Sequence, residues 1–296
     1  MRQHAEKQTA RQAFLLSAPA LLWITLLFLV PLVFIVGISV FSSGSYGELE
    51  GPLTFGSYKR FFGFSSFGWE PLYPLIVARS LVLAAITMAL CLLLGFPLAF
   101  WISGLPARWK TLALTLVVIP LWTNLLIRTY AWQILLAPQG LLARCAVALG
   151  FAHAGEPLYP SALAVCIGLV CDYLPFLVLP LYASVEKIDW TLAEAARDLG
   201  ASGWDVFRHA VLPQIVPGMA AGIVLVFVPA TGQFVIPDLL GGSKTVLLGN
   251  VIQQQFGASR DWPFGSGVAT VSMLVVLFAL WFYARMARRK GELGFR

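Results

Sequence analysis

The chain reads as an all-α protein that crosses a membrane six times. Two observations predict this: six apolar stretches of spanning length, and basic residues gathered on alternate sides of them. Of the 296 residues, 59% are hydrophobic and only 11% carry charge, against about 25% charged in a soluble domain. A helix needs roughly 20 predominantly apolar residues to cross the hydrocarbon core. The stretches are Phe14–Val40, Pro74–Ile102, Leu112–Ala137, Ser161–Val185, Pro217–Leu239 and Gly267–Met286. We treat residues 1–296 as a single membrane domain.

The first stretch contains Pro31 and lacks a small-residue cleavage site beside it, so it reads as a span and not as a signal peptide. The long segment 41–73 that follows is rich in Gly, Ser and aromatics, including Tyr46, Phe61, Phe62, Phe64, Phe67 and Trp69. Glycines discourage a long helix there, and aromatics suit the membrane–water interface. It is either an interfacial loop on the span ends or a docking surface for an outer partner. Later stretches carry helix breakers: Gly95 and Pro97, Pro120, Pro175 and Pro180, Pro229. Backbone groups freed at such breaks must find other partners in lipid, which suits helices that bend or line a path.

Orientation follows from the basic residues. With the N-terminus inside, the inner segments include Arg108, Lys110, Lys187, Arg197, Arg208 and the basic C-terminal run Arg285–Lys290, and the outer ones hold far fewer. The excess marks the cytoplasmic side, so both termini are expected there. The formal charge of +6 is the usual result of this asymmetry and calls for no nucleic acid. Cys91, Cys166 and Cys171 lie in apolar stretches, Cys145 lies in an outer loop, and His4, His153 and His209 are scattered. This gives neither metal-ligand spacing nor a disulfide framework, and no catalytic residue stands out.

Between the fourth and fifth stretches lies a polar segment, 186–216. It holds Glu194-Ala195-Ala196-Arg197-Asp198-Leu199-Gly200 and then Val211-Leu212-Pro213. Asp189 or Thr191 is placed to cap a helix, and Glu194, three residues after Thr191, has capping-box spacing. Gly200 is placed to end that helix in a left-handed conformation. Ala195 and Ala196 keep its surface low enough for close approach by another protein.

This pattern resembles the EAA loop of permease subunits of ABC importers, on Glu194, Ala195, Ala196, Gly200, Leu212 and Pro213. Ala210 departs from it, where the family favours a larger aliphatic residue. Ile119–Trp132, Leu174–Tyr182, Phe234–Gly242, Leu248–Ile252 and Arg260–Gly265 are similar to polyamine (spermidine/putrescine) permeases of the first-subunit type. The resemblance implies a type I ABC importer permease fold in a bacterial inner membrane, with the 186–216 loop docking on an ATPase. It implies two ATP-binding subunits that carry ATP and Mg, a second permease of different sequence, an extracytoplasmic solute-binding protein, surrounding lipid and a polyamine substrate. Importers of another small solute, or a secondary transporter without ATP coupling, are the alternatives. No phosphate loop of the form G-x-x-x-x-G-K-[ST] occurs, and Gly241–Thr245 lacks its first glycine. No cofactor is therefore expected on this chain.

Five residues are candidates for the substrate path: Asp172, Tyr173, Trp122, Asn124 and Gln233. An acid deep in an apolar stretch is costly and faces the bundle interior or water. Asp172 either attracts a cation into the path or pairs with Arg128 on the neighbouring stretch. Aromatic faces suit a polyamine through cation–π contacts.

Overall fold

The structure is a computed structural model that describes residues 2–44, 49–51, 53–65, 68–150, 158–242 and 245–289. Tyr46, Phe67, His153 and Lys290 of the reading above lie outside them.

In chain order the elements are α1 (Arg2–Ile38), β1 (Ser42–Ser43), β2 (Leu49–Glu50), α2 (Gly56–Phe61), β3 (Phe64–Ser65), β4 (Gly68–Trp69), α3 (Leu72–Ser103), α4 (Ala107–Trp122), α5 (Leu125–Leu136), α6 (Leu141–Ala148), α7 (Ala162–Val185), α8 (Trp190–Asp198), α9 (Gly203–Val206), a π-helical turn (Phe207–Val211), α10 (Leu212–Gly232), α11 (Val235–Gly241), α12 (Leu248–Phe256) and α13 (Trp262–Arg289). Among the described residues, five helices are long and apolar enough to cross a membrane, or six if α4 with the helical residues that follow it counts as one bent span.

The chain forms two compact units. One comprises residues 1–72 and 254–273, the other 73–253 and 274–296. In the first, β1 pairs with β2 and β3 with β4, both antiparallel, with Ser42 opposite Glu50 and Phe64 opposite Trp69, and the short helix α2 lies between the two pairs in the chain. The Ser39 and Tyr58 hydroxyls hydrogen-bond at 2.7 Å. The Arg60 guanidinium meets Asp261 at 2.7 Å and lies 4.0 Å from the Phe264 ring centre. Asp261 also accepts from the Phe264 N–H at 3.2 Å, so the last long helix begins at Trp262, ahead of the expected Gly267.

The second unit is built on α7. Leu169, Leu177 and Leu181 of α7 are fully buried, with Ala84, Cys91 and Ala99 of α3, Ile215 and Val226 of α10, and Leu240 of α11 in the same core. α10 is the main partner of α7. The two helices cross so closely at Gly218 that a Cβ there would fall 2.3 Å from the Pro180 carbonyl oxygen. Small residues let helix backbones approach in this way.

Two expected stretches are not single rods. The third breaks at Thr123–Asn124, and the helical segments either side of the break meet at 97°. Both residues are extended; the Thr123 hydroxyl donates to the Pro120 carbonyl at 2.7 Å, and Asn124 accepts from the Leu126 N–H at 2.8 Å. The turn is thus capped on both sides, which is what a break within an apolar setting requires. The fifth starts earlier than expected, at Leu212, and stops at Gly232. Extended Gln233 turns its side-chain oxygen onto the N–H groups of Phe234 and Val235, at 3.0 and 3.2 Å, and so opens α11.

Candidate functional site

The polar segment between α7 and α10 is a short helix with both ends closed. Asp189, in extended conformation, accepts from the Thr191 N–H at 3.0 Å and from the Thr191 hydroxyl at 2.6 Å. At the other end Gly200 has φ +82°. Its N–H reaches the Arg197 carbonyl at 2.9 Å, and the Ala201 N–H reaches Ala196 at 3.0 Å. This pair of bonds is a Schellman motif, with the left-handed residue in the place where glycine avoids the Cβ penalty. Beyond its own chain neighbours, nothing lies within 4 Å of where a Gly200 Cβ would stand, so a side chain there is opposed by backbone conformation and not by crowding.

The sequence expectation needs correcting in two places. The cap is Asp189, and the Thr191–Glu194 box does not form: Glu194 is exposed and, among the described residues, makes no side-chain hydrogen bond. The two alanines also part company. Ala195 faces out, whereas Ala196 packs inward beside Ala193, which is 2% exposed. The inward alanines let α8 sit close to the bundle. The outward surface carries Trp190, Leu192 and Leu199, the last 89% exposed, with Trp204 nearby in sequence at 67%. These apolar side chains stand exposed on an otherwise polar and charged segment.

The return into the bundle is equally constrained. Ser202 caps α9, accepting from the Asp205 N–H at 3.3 Å while donating to the Asp205 carboxylate at 2.5 Å. The Ser202-x-x-Asp205 spacing was readable as a cap signal and was missed. A π-helical turn then leads into α10, whose first turn holds Pro213. Such turns are rare and recur at functional sites. Trp204 stacks on Phe207 with centroids 5.6 Å apart, and Phe207 meets Phe96 of α3 edge-on at 6.1 Å. Ala210 and Leu212 pack against the core, and Pro213 is exposed. The Lys110 ammonium contacts both Glu186 oxygens, at 2.8 and 3.0 Å, tying α4 to the end of α7. Its hydrogen bond holds the Glu186 carboxyl below the usual range, and the two bonds from Thr191 do the same for Asp189.

A second polar group lies within the bundle. Asp172, 7% exposed, forms an ion pair with Arg128 of α5. The same guanidinium donates to the Pro120 carbonyl and lies 3.4 Å from the Thr123 hydroxyl. Arg128 therefore spans the break between α4 and α5, and Asp172 neutralises it. The pairing with Arg128 expected as one role of Asp172 is present. Beside Tyr173, the Gln233 side-chain amide donates to the phenol oxygen at 3.3 Å. Trp122 is 80% exposed, and the Asn124 side chain is engaged as a cap. A cavity of about 680 Å³ adjoins Arg128, lined mainly by apolar groups such as Trp101, Leu116, Trp132, Leu174 and Pro175. Among the described residues, no group of three His, Cys, Asp or Glu side chains is arranged to hold a metal.

The chain matches the family model described as binding-protein-dependent transport system inner membrane component over residues 91–292. It is 39% identical over 274 residues to the spermidine/putrescine transport system permease protein of Haemophilus influenzae, covering 92% of this chain and 93% of that one. It is equally identical, over the same length, to the protein of that description in Escherichia coli, covering 97% of that chain. It superposes with a TM-score of 0.68 at 17% identity on a chain from a bacterial alginate ABC transporter, solved in complex with an alginate pentasaccharide-bound periplasmic protein, covering 98% of this chain and 97% of the other. At that identity the likeness shows the fold alone. The six-stretch helical architecture, the capped helix between α7 and α10 and a family match over more than half the chain lead to one conclusion: the protein belongs to the inner-membrane components of binding-protein-dependent transport systems.

Proposed function

We propose that the chain is a permease subunit of an ATP-driven importer of polyamines, with α8 as its coupling helix. The observation that carries the coupling role is α8 itself. It is capped at both ends, seated on the bundle by Ala193 and Ala196, and offers Leu192 and Leu199 outward. A stiff element of this kind passes on a push instead of absorbing it. The polyamine substrate is supported by the 39% identity to two permeases of spermidine/putrescine systems.

In this reading solute arrives on a binding protein outside. ATP with Mg binds on two separate subunits at the cytoplasmic face, where both chain termini also lie. Their closure moves α8, and α7 and α10 rock against the rest between outward and inward access, in concert with a second permease of different sequence. This chain makes and breaks no covalent bond. The path runs past Tyr173, Gln233 and the exposed face of Trp122, which offer a polyamine aromatic and dipolar contacts. Asp172 and Asn124 border that path but spend their polar atoms on Arg128 and on the start of α5.

The test is uptake of labelled putrescine and spermidine by vesicles carrying the whole assembly with its binding protein. ATP-dependent uptake of either supports the reading. Uptake of neither, with another small solute carried instead, removes the polyamine assignment and leaves the permease.

A further inference from the structure

We propose that Gln214 is the positioning residue that fixes α8 to α10, so that motion of the coupling helix reaches the membrane. The proposal rests on the coupling role given to α8 above. Gln214 lies in the first turn of α10, directly after Pro213, and is half-buried. Its side-chain oxygen accepts from the backbone N–H of Asp189 at 2.9 Å, and its side-chain NH₂ points back at the Asp189 carbonyl at 3.5 Å. The NH₂ also donates to the Ala210 carbonyl at 2.7 Å, in the π-helical turn. One primary amide thus meets the donor and the acceptor of a single backbone unit, and that unit belongs to the residue that caps α8.

The chemistry is particular to glutamine. The side chain needs an acceptor and a donor on one planar group, which among side chains of this kind only Asn and Gln supply, and Asn is one methylene shorter. The bonds matter because the seating of α8 on the bundle is small in area and gives it no direction. Ala193 and Ala196 bury only small side chains, and beside exposed Asp189 the buried Ile188 lies before the helix while Trp190, its first residue, is exposed. Directional bonds at the start of α8 then decide whether a push on its outer face turns α10 or is lost in the loop. Gln214 stands outside the Glu194–Gly200 segment, 25 residues along the chain from Asp189, so no local spacing pointed to it.

The experiment reconstitutes the complete transporter with its binding protein in vesicles and measures solute taken up per ATP hydrolysed. This ratio is read per assembled complex, so it does not follow expression or general stability. Gln214→Leu keeps most of the bulk and removes every bond. The ratio is expected to fall about three- to tenfold, the population shift that loss of one or two neutral hydrogen bonds gives. Gln214→Glu keeps an acceptor for the Asp189 N–H and loses the donors, and is expected to fall by less. If Gln214→Leu does not assemble, Gln214→Glu alone decides, because it retains the polar tip and shape. A wild-type ratio in the variant that assembles overturns the proposal. Gly200→Val, which breaks the cap of α8 itself, separates the two ideas. Uncoupling by Gly200→Val without uncoupling at Gln214 removes only this inference. Normal coupling in Gly200→Val removes the coupling role of α8.

Discussion

The α8 segment and the bend between α4 and α5 solve the same problem by different means. Each ends one helix and starts another within a few residues. At α8 the closing groups are neighbours in sequence: Asp189 on Thr191, and Gly200 and Ala201 on Arg197 and Ala196. At the bend local groups do part of the task, through Thr123 and Asn124, but the charge that crosses the break comes from Arg128 and its counter-charge from Asp172, 44 residues further on. The first site lies on an exposed segment where water can satisfy a failed bond. The second lies where water is scarce, so its charges depend on each other. A local, wet device tolerates damage and suits a moving part. A remote, dry one is all-or-none and suits a fixed frame.

The largest effect is therefore expected at the bend. Removing one member of a buried ion pair strands the other, at a cost of about 3–5 kcal/mol. Asp172→Asn and Arg128→Met should each sharply lower the yield and thermal stability of the purified complex. The double substitution should recover most of the loss, because no unpaired charge remains. Thermal inactivation of the detergent-solubilised assembly reads this directly. A stable, transport-deficient Asp172→Asn would break the comparison, by showing that the carboxylate serves the solute and not the frame.

A smaller effect is expected at the start of α8. Asp189→Ala removes a cap whose loss weakens helix starts generally, and amide exchange of residues 190–199 should rise a fewfold with the fold intact. The pH dependence has a definite sign. The Thr191 bonds lower the Asp189 pKa in the folded chain, so the cap is fully present above the ordinary carboxylate range. It is lost as pH falls through the lowered value. The exchange difference between wild type and Asp189→Ala should persist at neutral pH and close only in acid. A difference that closes near neutral pH would contradict the geometry.

What the sequence revealed follows the same division. The apolar stretches, the polar interval and the glycine stop were legible because each is set within a few residues. Gly200 stands in the left-handed conformation that its position after Leu199 called for. Thr191–Glu194 had the right spacing for a box, but Asp189 reaches the free N–H first and takes the cap. The direction of Ala196, the grip of Gln214 on Asp189 and the early stop at Gln233 were not legible. Each depends on which helix lies alongside, and one-dimensional spacing does not encode that. The Asp172–Arg128 pairing was legible as one of two alternatives, since two opposite charges in neighbouring apolar stretches have few other partners.

The central claim is that the outer face of α8 is where an ATP-binding subunit rests, and Leu199 is the place to test it. Among the described residues, it is the most exposed large apolar side chain. A single cysteine at Leu199, in a chain whose four native cysteines are replaced, is labelled with a benzophenone and irradiated in the assembled complex. The account predicts an adduct with the combined mass of this chain and the ATP-binding subunit, with a yield that changes when ATP is added. Intact complex that yields no such adduct, or adducts only with lipid, would contradict it.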